Sequence, residues 1–190
     1  MLTPMELKGV FEAGLDYDRY VATGTPEQQA SWKKFDGQVM LTPEQRLLLG
    51  TFKRRMPVLV ISGTWCGDCV QQVPMFDHLA RAGGGSIDLR LVDRDEQKAV
   101  SDRVKICGGN RVPTVIFMNE DFEFVGLAGD KSLSRFRALA ARSLGAACML
   151  PGASIPKDEI AATLQDWCDE FERCQLLLRL SAKLRQRHGD

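Results

Sequence analysis

The sequence predicts an α/β fold: a small mixed β-sheet flanked by helices, with helical extensions at both ends. Three observations carry this prediction. Val58-Leu59-Val60-Ile61 is an uninterrupted apolar run that reads as a strand buried on both faces. A helical segment and a second strand pattern, Ile87–Val92, follow it, so the connection is a right-handed crossover between parallel strands. Thr114–Met118, the turn Asn119-Glu120-Asp121 and Phe122–Leu127 then read as a hairpin that adds an antiparallel edge.

The elements follow in order. Thr3-Pro4-Met5-Glu6, Thr25-Pro26-Glu27-Gln28 and Thr42-Pro43-Glu44-Gln45 each offer a cap, a proline at the first helical position and a capping-box partner. They predict three short helices, punctuated by Gly24 and Gly37. The first of them carries Leu7, Val10, Phe11, Gly14, Leu15 and Val21 at helical spacing. Cys66–Ala82 is the next helix, with Val73, Phe76, Leu79 and Ala80 on one face, a kink at Pro74 and a stop at Gly83-Gly84-Gly85. Asp95–Val104 reads as a short helix and Ser132–Leu144 as a longer one, capped near Asp130 or Lys131. Ala146–Pro156 reads as a linker. From Lys157 one long helix is expected. Its residues Ile160, Leu164, Trp167, Phe171, Cys174 and Leu178 alternate steps of four and three, a heptad-like seam. That seam packs on the N-terminal helices or, alternatively, joins two copies in a homodimer. The chain thus divides into an N-terminal helical extension (1–56), a core (57–145) and a linker with a C-terminal helix (146–190).

Composition narrows the function classes. Lys plus Arg and Asp plus Glu balance at 25 each, which argues against nucleic acid or an anionic membrane as main partner. The basic stretch Arg173–His188 is interleaved with leucines and reads as the wet face of a helix. The start MLTPMELKGV lacks a basic segment followed by an apolar one, and no apolar run reaches bilayer length, so a cytoplasmic location is expected. There, the six cysteines (Cys66, Cys69, Cys107, Cys148, Cys168, Cys174) point to redox or metal chemistry and not to a disulfide framework.

The chemistry is concentrated in Thr64-Trp65-Cys66-Gly67-Asp68-Cys69. A helix N-terminus presents unpaired N–H groups and partial positive charge, which favour a thiolate at Cys66. Cysteines in such settings have pKa values of roughly 3.5–7.5. Cys69 lies one turn further on, within reach of the Cys66 sulfur. The pair suits disulfide exchange: Cys66 attacks a partner's disulfide, and Cys69 resolves the mixed disulfide.

Trp65-Cys66-Gly67-Asp68-Cys69 resembles the thioredoxin active-site motif, whose fourth position is usually proline. Val112-Pro113-Thr114 resembles the family's second signature, a cis proline facing the redox pair. Pro74 matches the kink of the active-site helix, and Gly129 the glycine of the substrate groove. The resemblance spans roughly Pro57–Leu144. It implies a thiol–disulfide oxidoreductase with Cys66 and Cys69 as catalytic residues and Trp65, Gly67, Asp68, Val112, Pro113 and Gly129 as substrate-binding ones. It further implies disulfide-containing protein substrates, a reductase or low-molecular-weight thiol as electron donor, and no cofactor or metal. Val112 would offer its backbone to an extended substrate, and Arg111 would stand at the rim.

The sequence also departs from the family pattern. The buried aspartate and lysine of thioredoxins fall at Val60 and near Leu89, both apolar here. Asp68 is either a substitute proton acceptor beside Cys69 or a solvated turn residue. Cys107, in the glycine-rich stretch before Pro113, is either a third thiol of the site or an ordinary loop cysteine. Zinc is disfavoured, because Cys168 and Cys174 lack pair spacing and His78 and His188 are isolated. Trp32, Trp167 and the late cysteines read as packing residues. The competing functional class is a thioredoxin-like binding or redox-sensing module whose helical extensions recognise a partner.

Overall fold

The structure, a computed structural model, describes residues 2–144 and 158–189. The expected linker Ala146–Pro156, with Cys148, lies outside them. Four strands, β1 (Met56–Ser62), β2 (Ile87–Asp93), β3 (Thr114–Met118) and β4 (Phe124–Gly129), form one sheet in the order β2-β1-β3-β4. β1 and β2 run parallel, pairing Val58 with Leu89. β3 is antiparallel to both β1 and β4. Every residue of β1 is buried, as expected of a central strand covered on both faces.

The N-terminal region forms four helices, not three: α1 (Pro4–Ala13), α2 (Tyr17–Ala22), α3 (Pro26–Asp36) and α4 (Pro43–Gly50). All three expected capping boxes are present. The extra break falls at Gly14–Asp16, where Leu15 exchanges backbone hydrogen bonds of 2.9 and 2.8 Å with Leu91 of β2. A Cβ at Gly14 would lie 2.9 Å from the Arg90 Cβ, so the close approach requires glycine. Asp16 then caps α2 by accepting from the Arg19 N–H. The sheet edge takes the backbone that helical periodicity assigned to one helix.

α5 (Gly67–Ala82) crosses from β1 to β2 with Pro74 inside it. α6 is only Lys98–Ser101, shorter than the expected Asp95–Val104. The Asp93 carboxylate holds the N–H groups of Asp95 (2.7 Å) and Glu96 (3.3 Å) in a turn ahead of it. In the hairpin, β4 begins at Phe124 and not at Phe122. Buried Asn119 accepts from the N–H groups of Asp121 and Glu123, which lengthens the turn, and Phe122 adopts φ 60° within it. α7 (Leu133–Leu144) follows.

The C-terminal segment is two helices, α8 (Glu159–Leu180) and α9 (Ala182–His188). Ser181 breaks them apart and caps α9 through the Leu184 N–H. The α8 seam is buried inside this chain from Leu164 onward, where the helix packs beside α7 and α5 and reaches β3. Trp167 stacks edge-on against Phe76 with centroids 4.5 Å apart, and Phe171 against Phe117 at 5.1 Å. Contact with the N-terminal region is polar: Gln45 bonds Gln165, and Gln175 holds both the N–H and the C=O of Arg54. From Leu164 to Leu178 the seam is thus taken up by packing within the chain. One apolar core runs from Leu7 and Trp32 through β1 to Trp167 and Phe171.

Candidate active site

β1 delivers the chain to the site and α5 carries it away. Past Ser62, Gly63 passes so near the Trp65 ring that a Cβ there would lie 2.6 Å from it. The Cys66 N–H bonds the Gly63 carbonyl at 3.0 Å and closes the turn. The N-terminal helices brace this turn. The buried Trp32 indole N–H donates to the Thr64 carbonyl at 3.0 Å, and the Thr64 hydroxyl to Gln28 Oε1 at 3.1 Å.

Cys66 is the N-cap of α5 and makes no side-chain cap bond. Its thiol is half-buried and held down at about 6, first by a hydrogen bond from the Cys69 thiol and then by the backbone N–H groups of Cys69 and Asp68. Partial burial and the Asp68 carboxylate oppose that shift. Cys69 is fully buried, and burial followed by the neighbouring Cys66 pushes its thiol well above the ordinary range. One sulfur is thus poised as thiolate and the other kept as thiol.

The opposing lip comes from β3 and β4. The Val112–Pro113 bond is cis, and the Cys66 S–H reaches the Val112 carbonyl at 3.7 Å. Gly129 adopts φ +130°, and a Cβ there would lie 2.3 Å from the Pro113 carbonyl oxygen, so only glycine lets the two segments meet. Trp65 is about half exposed beside the thiols. The structure thereby brings together Trp65, Cys66, Gly67, Asp68, Cys69, Val112, Pro113 and Gly129.

Asp68 takes neither of its two expected forms. Its carboxylate accepts from Arg135 at 2.7 and 3.0 Å and pairs with Lys131 at 2.9 Å. It is an ion-pair residue held by Arg135 of α7 and by Lys131 just before that helix. Arg111 is exposed and donates to Asp130 at 3.3 Å. Val60 and Leu89 are buried and apolar, so no carboxylate–lysine pair lies at those positions. Cys107 is exposed on a turn. Burial pushes Cys168 up to about 11 and Cys174 up to about 12, as suits small core residues. His78 pairs with Asp36 at 3.0 Å. Among the described residues no cluster of metal-ligating side chains occurs.

Several residues at the site escaped sequence reading. Arg94 stacks on the Trp65 ring with its guanidinium 4.5 Å from the centroid, while its fork bonds Asp95. Gln72 is fully buried one turn beyond Cys69. Its amide donates to the Asp130 carbonyl (2.9 Å), and its oxygen accepts from the Ser132 N–H and the Trp167 indole (both 3.1 Å). A glutamine on the apolar face of α5 was the available signal. Ser62 and Tyr20 lie behind Cys69, fully buried.

A family model described as Thioredoxin matches residues 14–131, which takes in α2 to α4 and the expected core up to Lys131, short of α7. A thioredoxin of Borreliella burgdorferi is 29% identical over 72 residues, 37% of this chain. The match spans 59% of that relative's length. A crystal structure of a protein of unknown function from Pseudomonas aeruginosa superposes with TM-score 0.65 at 21% identity, covering 90% of this chain and 99% of the other. An HIV epitope scaffold superposes with TM-score 0.64 at 18% identity, covering 84% and 96%. Both structural likenesses extend over the helical extensions as well as the sheet. No described helix is long and apolar enough to cross a membrane.

Proposed function

Because this chain belongs to the thioredoxin family, we propose that it is a thiol–disulfide oxidoreductase acting on protein disulfides, with Cys66 as nucleophile and Cys69 as resolving thiol. The carrying observation is the split pair of thiols at the head of α5: Cys66 held down at about 6, Cys69 buried and held up. At neutral pH the attacking sulfur is mostly thiolate and the resolving one waits as thiol.

The cycle follows from these states. The Cys66 thiolate attacks one sulfur of a substrate disulfide and releases the other as a thiolate. Cys69 loses its proton and attacks Cys66. The substrate leaves reduced, and Cys66 and Cys69 are joined. A reductase or low-molecular-weight thiol returns the two electrons. The Val112 carbonyl beside Cys66 offers an extended substrate strand a backbone partner, and half-exposed Trp65 offers it an apolar wall. A reducing compartment such as the cytoplasm would supply the electrons for each turn.

The test is reduction of insulin disulfides with dithiothreitol as donor. Wild type turns over, Cys66→Ser loses turnover, and Cys69→Ser accumulates a mixed disulfide at Cys66. A folded wild type without turnover overturns the proposal.

A further inference from the structure

Asp68 is an awkward neighbour for a sulfur that must carry negative charge. It lies two residues after Cys66, in the first turn of α5, where the N–H groups of Asp68 and Cys69 face the Cys66 sulfur. A carboxylate there repels a thiolate and competes with it for the same N–H groups. The fold engages both of its oxygens elsewhere. Arg135 Nη2 and Nε donate to Oδ1 at 2.7 and 3.0 Å, and Lys131 Nζ lies 2.9 Å from Oδ2. Arg135 is only 8% exposed, and Nη1, on the other arm of its fork, donates to Glu159 Oε1 at 2.9 Å. Glu159 stands in the first turn of α8 and also accepts from Arg142 at 2.7 and 3.3 Å. A buried guanidinium is costly unless its charge and its donors are both matched. Asp68 and Glu159 together match those of Arg135. The C-terminal extension thus reaches the redox pair through two ion pairs in series.

We propose that Arg135 is a positioning residue for disulfide exchange: braced by Glu159 of α8, it holds the Asp68 carboxylate to α7 and counters its charge, which leaves the head of α5 to the Cys66 thiolate. This rests on the dithiol reading above. Arg135 touches no reacting atom. It acts through Asp68 on the step in which the Cys66 thiolate attacks a substrate disulfide, forms one S–S bond and expels the other substrate sulfur as a thiolate. An Asp68 released by Arg135 keeps only Lys131, and its charge weighs more heavily on Cys66. The Cys66 sulfur then holds its proton to a higher pH than the value of about 6 found in the intact network.

The other titratable groups that face Cys66 are Cys69 on the same helix, Tyr20 of α2 and Arg94 just past β2. All three are unchanged in the variants that test the proposal.

The test is the rate at which Cys66 of the reduced full-length chain attacks dithiodipyridine, a disulfide without charge near neutral pH, with the rate in Cys66→Ser subtracted. In Arg135→Met the midpoint of the pH–rate curve moves up by about one pH unit. A thiol of higher pKa is the better nucleophile once ionised, with a Brønsted coefficient of about 0.4–0.5, so the upper plateau rises about two- to threefold. Well below the midpoint, attack slows by about three- to fourfold. Arg135→Lys keeps a cation at the carboxylate and brings the midpoint at least halfway back. In an Asp68→Asn background, Arg135→Met moves the midpoint by less than half as much, because no carboxylate is left to hold. Should circular dichroism show Arg135→Met unfolded, Lys131→Met decides in its place: it removes the other cation on Asp68, leaves Asp130 paired with Arg111, and shifts the midpoint the same way. An unmoved midpoint overturns the proposal. So does a rise that Arg135→Lys leaves in full, or one that persists at half size or more without the Asp68 carboxylate. A wild type whose Cys66 does not attack the probe would instead overturn the dithiol reading.

Discussion

The Asp68 carboxylate lies between two thiols along the chain but between two cations in space, Lys131 and Arg135. Its negative charge still opposes the Cys66 thiolate. Asp68→Asn removes that opposition and keeps the backbone N–H that supports the sulfur. The Cys66 thiol should therefore fall below about 6, read from thiolate ultraviolet absorbance during a pH titration. An unchanged or raised value sinks this account. The same change weakens a partly exposed ion pair and costs about 1 kcal/mol of stability. At this scale the sequence was legible where chemistry is local. Two cysteines a turn apart, the Val112-Pro113 pair and Gly129 declare themselves without a partner. What Asp68 touches was not legible, because Arg135 lies 67 residues away and nothing in a motif reports a contact made only on folding.

On α5, the thiols occupy the first turn, and a second buried acid, Asp77, lies two turns further along. Burial lifts the Asp77 carboxyl to about 6 despite the Arg81 guanidinium beside it. A folded state that prefers the protonated acid gains from it below the ordinary value of 3.8. That gain fades as pH rises through about 6. Asp77→Asn should thus stabilise the protein at pH values above that range by roughly 3 kcal/mol, with no gain in strongly acidic solution. Denaturant melts at both extremes check this, and a uniform loss contradicts it. Elements were read well wherever caps and periodicity decide them, as in the three capping boxes and α5. They were misread where distant backbone competes: Leu15 is taken by β2, and the Asp93 carboxylate holds the turn before α6. The first needs a sheet edge that only the folded chain supplies.

Across the whole molecule, the extensions and the sheet share one core. Phe171 of α8 is fully buried against Phe76 and Phe117, which belong to α5 and β3. Phe171→Ala should cost about 3–5 kcal/mol in urea unfolding, in a single transition shared by fluorescence and circular dichroism. Leu176→Ala, on the half-exposed face of the same helix, should stay within about 0.5 kcal/mol. Two separate transitions would show that α8 is an appendage and not part of the core. The heptad spacing had shown that α8 buries a stripe. It did not say against what, because a stripe encodes a need for cover and not the identity of the cover.

Gln72 joins these scales. One buried amide fastens the helix that bears the thiols to the Asp130 and Ser132 backbone across the groove, and to Trp167 of α8. The groove is therefore a mouth with riveted jaws: neither lip can swing without tearing an amide from partners that water cannot reach. Such a mouth does not reshape itself around its food. Under the disulfide exchange proposed above, the bending needed for sulfur to meet sulfur would fall to the substrate.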